Sequence, residues 1–461
     1  LTAKPAAKPK ARPAATAPKR AAAPAAAPAA APAPAVLPET EELAQLRKAF
    51  RVAFPIYEVM RTRALQLGKA QEASGVANLV NFILPRLTLA DATSREITTP
   101  NNDTLYGSAW LDLAGGPVIL TVPSLGQRYN SAALMSLTTD NIAILGTRSG
   151  AGRYALVGPG YNGPTPDGTQ LVRMPTNDAW LLIRVLVTDR DDVAAAAAAL
   201  REFKLESLPD NKPAVPVANA APANPDARTF LAVVNEAIER SQDNAALIAR
   251  THAFYKQGMT GPESAFSPET LALWEQALPQ FRAELKGGLA AAGDVIEGWN
   301  YPKAGVGDFG EDDDLRSLIA LGGLAALPRI EAVYLSARTD AAGAPLDGSK
   351  SWRVRIPAKP PVGAFWSLTM YEADKDGRLF FVANDLDRFA VSSQSQHLRA
   401  ERDGSYEIFV QASRPTGERV VNWLPAPKGR FVLVWRGYLP GQSLLDGSFR
   451  LPPVAEGELI P

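Results

Sequence analysis

"GPVILTVPSLGQRYNSAALMSLTTDNIAILGTRSGAGRYALVGPG" spans Gly116–Gly160. Its short apolar runs are separated by Gly, Pro and Asn at nearly even spacing. Chains that pack as strands read this way, with β-branched and aromatic residues inside the runs and turn formers between them. The same grammar covers residues 97–190, ending in "AWLLIRVLV", and returns from Ala332 to Pro453 in "EAVYLSART", "KSWRVRIP", "GAFWSLTMYE", "RLFFVAND", "SYEIFVQA" and "GRFVLVWRGY".

The stretches around and between these two regions have helical spacing. In "ETEELAQLRKAFRVAFPIYEVMRTRALQLG", Leu43, Leu46, Phe50, Phe54 and Tyr57 recur at the period of one helix face. Pro55 lies inside that pattern and is expected to kink or restart the helix. Residues 192–206 and 225–295 also read as helix, joined by the linker "NKPAVPVANAAPANP". "DDDLRSLIALGGL" has its acids where a helix N-terminus favours them. The fold class is therefore mainly β with a helical connector: two jelly-roll-like β-sandwich domains bridged by α-helices. The expected divisions are a tail over 1–38, a helical segment over 39–80, a first β domain over 81–206, a linker and helical connector over 207–329, and a second β domain over 330–455.

The chain has 461 residues, 48 basic and 48 acidic, so its net charge gives no reason to expect a nucleic-acid partner. With no Cys and only His252 and His397, no multi-histidine or cysteine-ligated metal site can form within one chain, and no metal or cofactor is expected. Neither a Walker loop, a dinucleotide fingerprint nor a G-x-S-x-G elbow is present. No apolar run is long enough to span a membrane.

Residues 1–36 hold 18 Ala, 8 Pro, six Lys or Arg and no acid. Such a composition cannot build a core and suits a solvated spacer. The first residue is Leu rather than Met, and the expectation is a trimmed start and an exported, periplasmic or secreted protein.

"NNDTLYGSAWLDL" and "GPVILTVPSLGQRYNSAALMSLTTDNIAILGTRSGAGRYALVGPGYNG" resemble the bacterial domain of unknown function 1254. "GAFWSLTMYEADKDGRLFFVANDLDRFAVSS", "DGSYEIFVQASRP" and "NWLPAPKGRFVLVWRGYLP" resemble domain of unknown function 1214. The likeness covers about Phe82–Leu205 and Asp308–Val454. It implies two jelly-roll-like β domains and carries no established activity.

Asn101, Asn102, Asp103, Tyr106 and Trp110 crowd more donors and acceptors beside aromatic rings than a turn needs. They are expected to face a cavity that takes a polar small molecule or glycan, with Trp110 in its wall. Asn422 and Trp423, in a loop held by Pro425 and Pro427, are the second ligand-binding candidates. Asp103, Tyr106, Asp387 and Arg388 are the candidates if the protein is instead a metal-independent hydrolase or lyase. A structural role, with paired β domains forming a homo-oligomer, is the third reading.

Overall fold

The computed structural model describes residues 36–95, 98–260, 267–374 and 377–459. The spacer expected over residues 1–36 lies outside them, apart from Val36. The β grammar folds as four sheets in two pairs.

The first pair is built from β1 (Leu84–Arg86), β2 (Thr104–Asp112), β3 (Val118–Val122), β4 (Asn130–Ser136), β5 (Asn141–Gly146), β6 (Gly152–Val157), β7 (Gln170–Arg173), β8 (Asp178–Leu186) and β9 (Lys204–Ser207). One sheet runs β1-β2-β8-β4-β5 and the other β7-β6-β3-β9. The second pair uses β10 (Gly293–Ile296), β11 (Trp299–Pro302), β12 (Ala332–Ala337), β13 (Ser351–Ile356), β14 (Trp366–Ala373), β15 (Leu379–Phe380), β16 (Ala390–Ser392), β17 (Tyr406–Gln411), β18 (Trp423–Pro425), β19 (Phe431–Tyr438) and β20 (Ala455–Gly457). Its larger sheet runs β10-β11-β12-β19-β14-β15, with β16 beside β14, and its smaller sheet runs β18-β17-β13-β20. The mainly-β class and the two sheet pairs agree with the sequence pattern.

Each pair encloses an apolar core. Leu105, Ala109 and Leu111 of β2 and Leu181, Ile183 and Val185 of β8 point into the first. Val333, Leu335, Leu433, Trp435, Leu368 and Met370 point into the second. Because strand side chains alternate, the intervening residues form the outer faces of the two large sheets.

Helices α1 (Glu41–Ser74), α2 (Val193–Leu200), α3 (Ala227–Glu239), α4 (Ala245–His252), α5 (Pro268–Gly288) and α6 (Asp313–Gly322) supply the helical part. Helix α1 passes through Pro55 without a break, against the expectation of a restart. Phe50, Val52, Phe54, Ile56 and Tyr57 around it are all buried in a core shared with α3, α5 and α6, and that packing offsets the backbone bond that Pro55 cannot make. Helix α6 starts where the acids predict, with Asp312 accepting from the Leu315 N–H at 2.9 Å.

Two expectations fail. Residues 204–207 are a strand rather than helix, and 293–302 form a hairpin that joins the second large sheet. Its turn is Glu297-Gly298, both with positive φ (50° and 85°), a geometry glycine permits at no steric cost.

Candidate functional site

The outer faces of the two large sheets meet each other. On the first, the register places Tyr106 of β2 beside Arg184 of β8, which lies beside Ser131 of β4. On the second, Tyr334 of β12 is beside Arg436 of β19, which lies beside Ser367 of β14. At one end of this contact Tyr129, Ala133 and Leu186 pack on Leu327, Phe365 and Tyr438 across the interface. Phe365 and Tyr438 stack at 4.2 Å, and Tyr129 meets both rings. At the other end the first sheet turns its Trp110, Trp180 and Met135 to the helices. A polar layer with two buried arginines is left between these apolar contacts.

Asp103 stands at the edge of that layer. Its carboxylate is 5% exposed and accepts from Ser367 Oγ of the other domain at 2.5 Å. Burial pushes its pKa up, against the opposing pull of the Arg436 guanidinium and the Ser367 bond. Arg436 donates to Thr369 Oγ1 and to the Tyr371 hydroxyl, each at 2.7 Å. Tyr371 donates in turn to the Pro100 carbonyl, and Asn101 Nδ2 reaches the Tyr438 hydroxyl at 3.0 Å. The Thr98–Leu113 stretch is thus bonded to the second domain through Pro100, Asn101 and Asp103, and also through Thr98 and Thr99, which bond the Leu379 backbone.

On its other side Asp103, with Asn102, lines a cleft of ≈ 700 Å³ between the two domains. Val187–Asp192 and Ala195 form one wall, and Leu386–Ser392 with Ser395–Leu398 the other. Asp387, Arg388 and His397 therefore reach the same cleft as Asp103, although they come from the other domain. Arg190 and Asp387 pair across it at 3.1 Å, and both are largely exposed, so the pair adds little stability.

The remaining candidates lie elsewhere. Trp110 is no part of the cleft wall: it is 1% exposed, stacks on Trp180 at 4.6 Å and donates to Gln66 Oε1 of α1 at 3.0 Å. Asn422 holds backbone, accepting from the Arg399 N–H and donating to the Arg399 and Glu407 carbonyls. Trp423 is buried and donates to the Gln411 carbonyl at 2.9 Å. Arg388 spends Nη1 on the carbonyls of Val420 and Trp423. Tyr106 faces the inter-sheet layer, with Arg184 over its ring at 5.6 Å.

Sequence reasoning missed Arg184, Arg436, Tyr334, Tyr371 and Tyr438. The signal was present in "AWLLIRVLV" and "FVLVWRGY", each an apolar strand interrupted by one arginine. A cation is not placed inside such a run without a partner or a purpose. Among the described residues no cluster of three His, Asp or Glu is arranged to hold a metal ion, and no helix is long and apolar enough to cross a membrane.

The raised pKa of Asp103 gives a pH test. The folded chain holds this proton more tightly than the unfolded chain, so the group's contribution is full below the ordinary carboxyl pKa of about 3.9 and is lost as pH rises through the folded value. Asp103→Asn keeps the shape and can still accept from Ser367. The melting temperature of the parent is expected to fall relative to that of the variant as pH rises from about 4. Parallel pH profiles would contradict the assignment.

Residues 80–207 match the family described as "Protein of unknown function (DUF1254)", and residues 331–442 match "Protein of unknown function (DUF1214)". A comparison with curated proteins found no match. Among solved structures, the VPA0106 protein of Vibrio parahaemolyticus is similar over 90% of this chain and 100% of its own, with TM-score 0.71 and 22% identity, which supports the fold alone. An uncharacterized protein of Burkholderia cenocepacia is 14% identical over 91% of each chain, with TM-score 0.43, too distant to carry an argument.

Proposed function

We propose that this chain, which pairs a DUF1254 domain with a DUF1214 domain, binds a polar small molecule or short glycan in the cleft between its two β domains. The observation that supports this reading most is the convergence of Asn102 and Asp103 from one domain with Asp387, Arg388 and His397 from the other around one cleft of ≈ 700 Å³. That volume lies within the range of small-ligand sites, and the lining offers polar groups of both signs. Asn102, Asp387, Arg388 and His397 keep accessible surface and can stay solvated until a ligand replaces the water, whereas Asp103 is buried and already bonded to Ser367.

The hydrolase or lyase reading starts from the same residues but has less support. Asp387 is paired with Arg190, Arg388 is held by backbone carbonyls, and among the described residues no hydrogen bond joins a cleft carboxylate to His397.

Ala195 lies exposed on the cleft wall, so Ala195→Trp fills the cleft without entering a core. The full chain is to be screened by thermal shift against mono- and disaccharides and polar metabolites. A compound that raises the melting temperature of the parent should leave that of Ala195→Trp unchanged, with the two unliganded proteins melting alike. A response that survives in the variant, or no response from any compound, removes the proposal.

A further inference from the structure

Arg184 is 5% exposed, and its Nε and Nη1 atoms have no hydrogen-bond partner among the described residues. Its one bond among the described residues runs from Nη2 to the Ala325 carbonyl at 3.3 Å, a long contact for a charged donor. No carboxylate pairs with it among the described residues. Glu331, an acid on this interface, is already held by Arg148 at 2.8 Å and by the Tyr129 hydroxyl at 2.7 Å. A buried guanidinium with two idle donors is among the most costly arrangements a protein can keep.

The surroundings deepen the imbalance. Arg436 brings a second positive charge, with its guanidinium 5.8 Å from the Tyr334 ring. Asp103 is the acid that faces Arg436, and burial disfavours its charged form. Tyr106 and Tyr334 come from opposite sheets, yet both keep accessible surface while the arginines beside them are buried. The register and the ring contacts thus gather two cations and two tyrosine rings in the layer between the sheets.

We infer that the space between Arg184, Arg436, Tyr106 and Tyr334 is an anion site that takes a small organic carboxylate. The carboxylate would pair with the Arg184 guanidinium, and its apolar body would lie against the two tyrosine rings. The guanidinium supplies hydrogen-bond donors as well as charge. The ring faces suit a flat or aliphatic body over a compact inorganic ion. This site is separate from the outer cleft, and each can fail alone.

The test uses the full chain and measures melting temperature against acetate, benzoate, succinate and inorganic phosphate, with chloride at matched ionic strength as the reference. The carboxylates are expected to raise the melting temperature in a concentration-dependent way, and phosphate to act more weakly. Arg184→Met, which removes the idle charge and keeps most of the volume, should melt at or above the parent without ligand and lose the carboxylate response. Should that variant fail to fold, Arg184→Lys keeps the charge and is expected to weaken the apparent affinity by about tenfold or more. Ala195→Trp should retain the response at equilibrium. A carboxylate response that persists undiminished in the Arg184 variants, that vanishes only in Ala195→Trp, or that never appears in the parent overturns the inference. A response to phosphate equal to that of benzoate overturns the carboxylate assignment.

Discussion

Replacing Arg240 with Met is expected to destabilise the protein by about 3–5 kcal/mol. Arg240 sits at the C-terminus of α3 and reaches back to the first large sheet. Its Nε donates to Asp178 Oδ2 at 2.5 Å, and its Nη2 donates to Asp178 Oδ1 and Asp112 Oδ2, each at 3.0 Å. The two carboxylates are directly opposite in the register of β2 and β8, and their side chains are 2% and 3% exposed. Without the guanidinium, two buried negative charges would face each other with only Arg63, 3.9 Å from Asp178, to offset them. Asp112 also accepts from the Ala114 and Val215 N–H groups, so it cannot turn away to water without breaking those bonds. Chemical denaturation of the variant and the parent measures the loss, and a difference below about 1 kcal/mol would show that the triad is not needed for stability. Replacing Arg63, Asp112, Asp178 and Arg240 together by apolar residues of similar volume should restore much of the loss, because the penalty comes from unpaired charge.

Trp110→Ala is expected to cost about 3–5 kcal/mol and to leave ligand responses in the cleft unchanged. The indole is wedged between Trp180 and α1, and its ring nitrogen shares Gln66 Oε1 with the Ser108 hydroxyl. Truncation removes a ring pair, leaves a cavity and takes from Gln66 Oε1 one of its two donors. Trp110→Phe keeps a ring and forfeits mainly the Gln66 bond, so it should lose only about 1 kcal/mol more than the change in packing requires. If Trp110→Ala melts with the parent but binds ligand differently, the residue belongs to the site after all.

Different parts of the molecule were legible to different degrees, for physical reasons. Strand β4 is buried along its whole length, so "NSAALMS" shows no alternation, yet its flanking turn residues still mark it. Strands β9, β10 and β11 are four residues each. They earn their place by hydrogen bonding to a sheet edge, which no local pattern records. Helix α1 was legible in its apolar spacing, whereas its continuity through Pro55 depends on neighbours that are distant in sequence. The polar cluster at Asn101–Asp103 drew notice as a dense group of side chains, and Asp103 does lie at the domain contact. Arg184 and Arg436 could each be seen as odd, but only the facing of two sheets makes them a pair. Asn422 and Trp423 looked like a ligand loop because an amide and an indole serve backbone as readily as they serve sugars.

The two β domains join through a face that neither could expose comfortably. Cutting the chain between them would leave Arg184 and Tyr129 on one fragment and Arg436, Phe365 and Tyr438 on the other, each sheet presenting aromatic rings and a cation to water. A transplant of either half into another chain would thus carry an unfinished seam, and any drift in the sequence of one face must be answered by the other. The pair, rather than either sandwich, is the inheritable part.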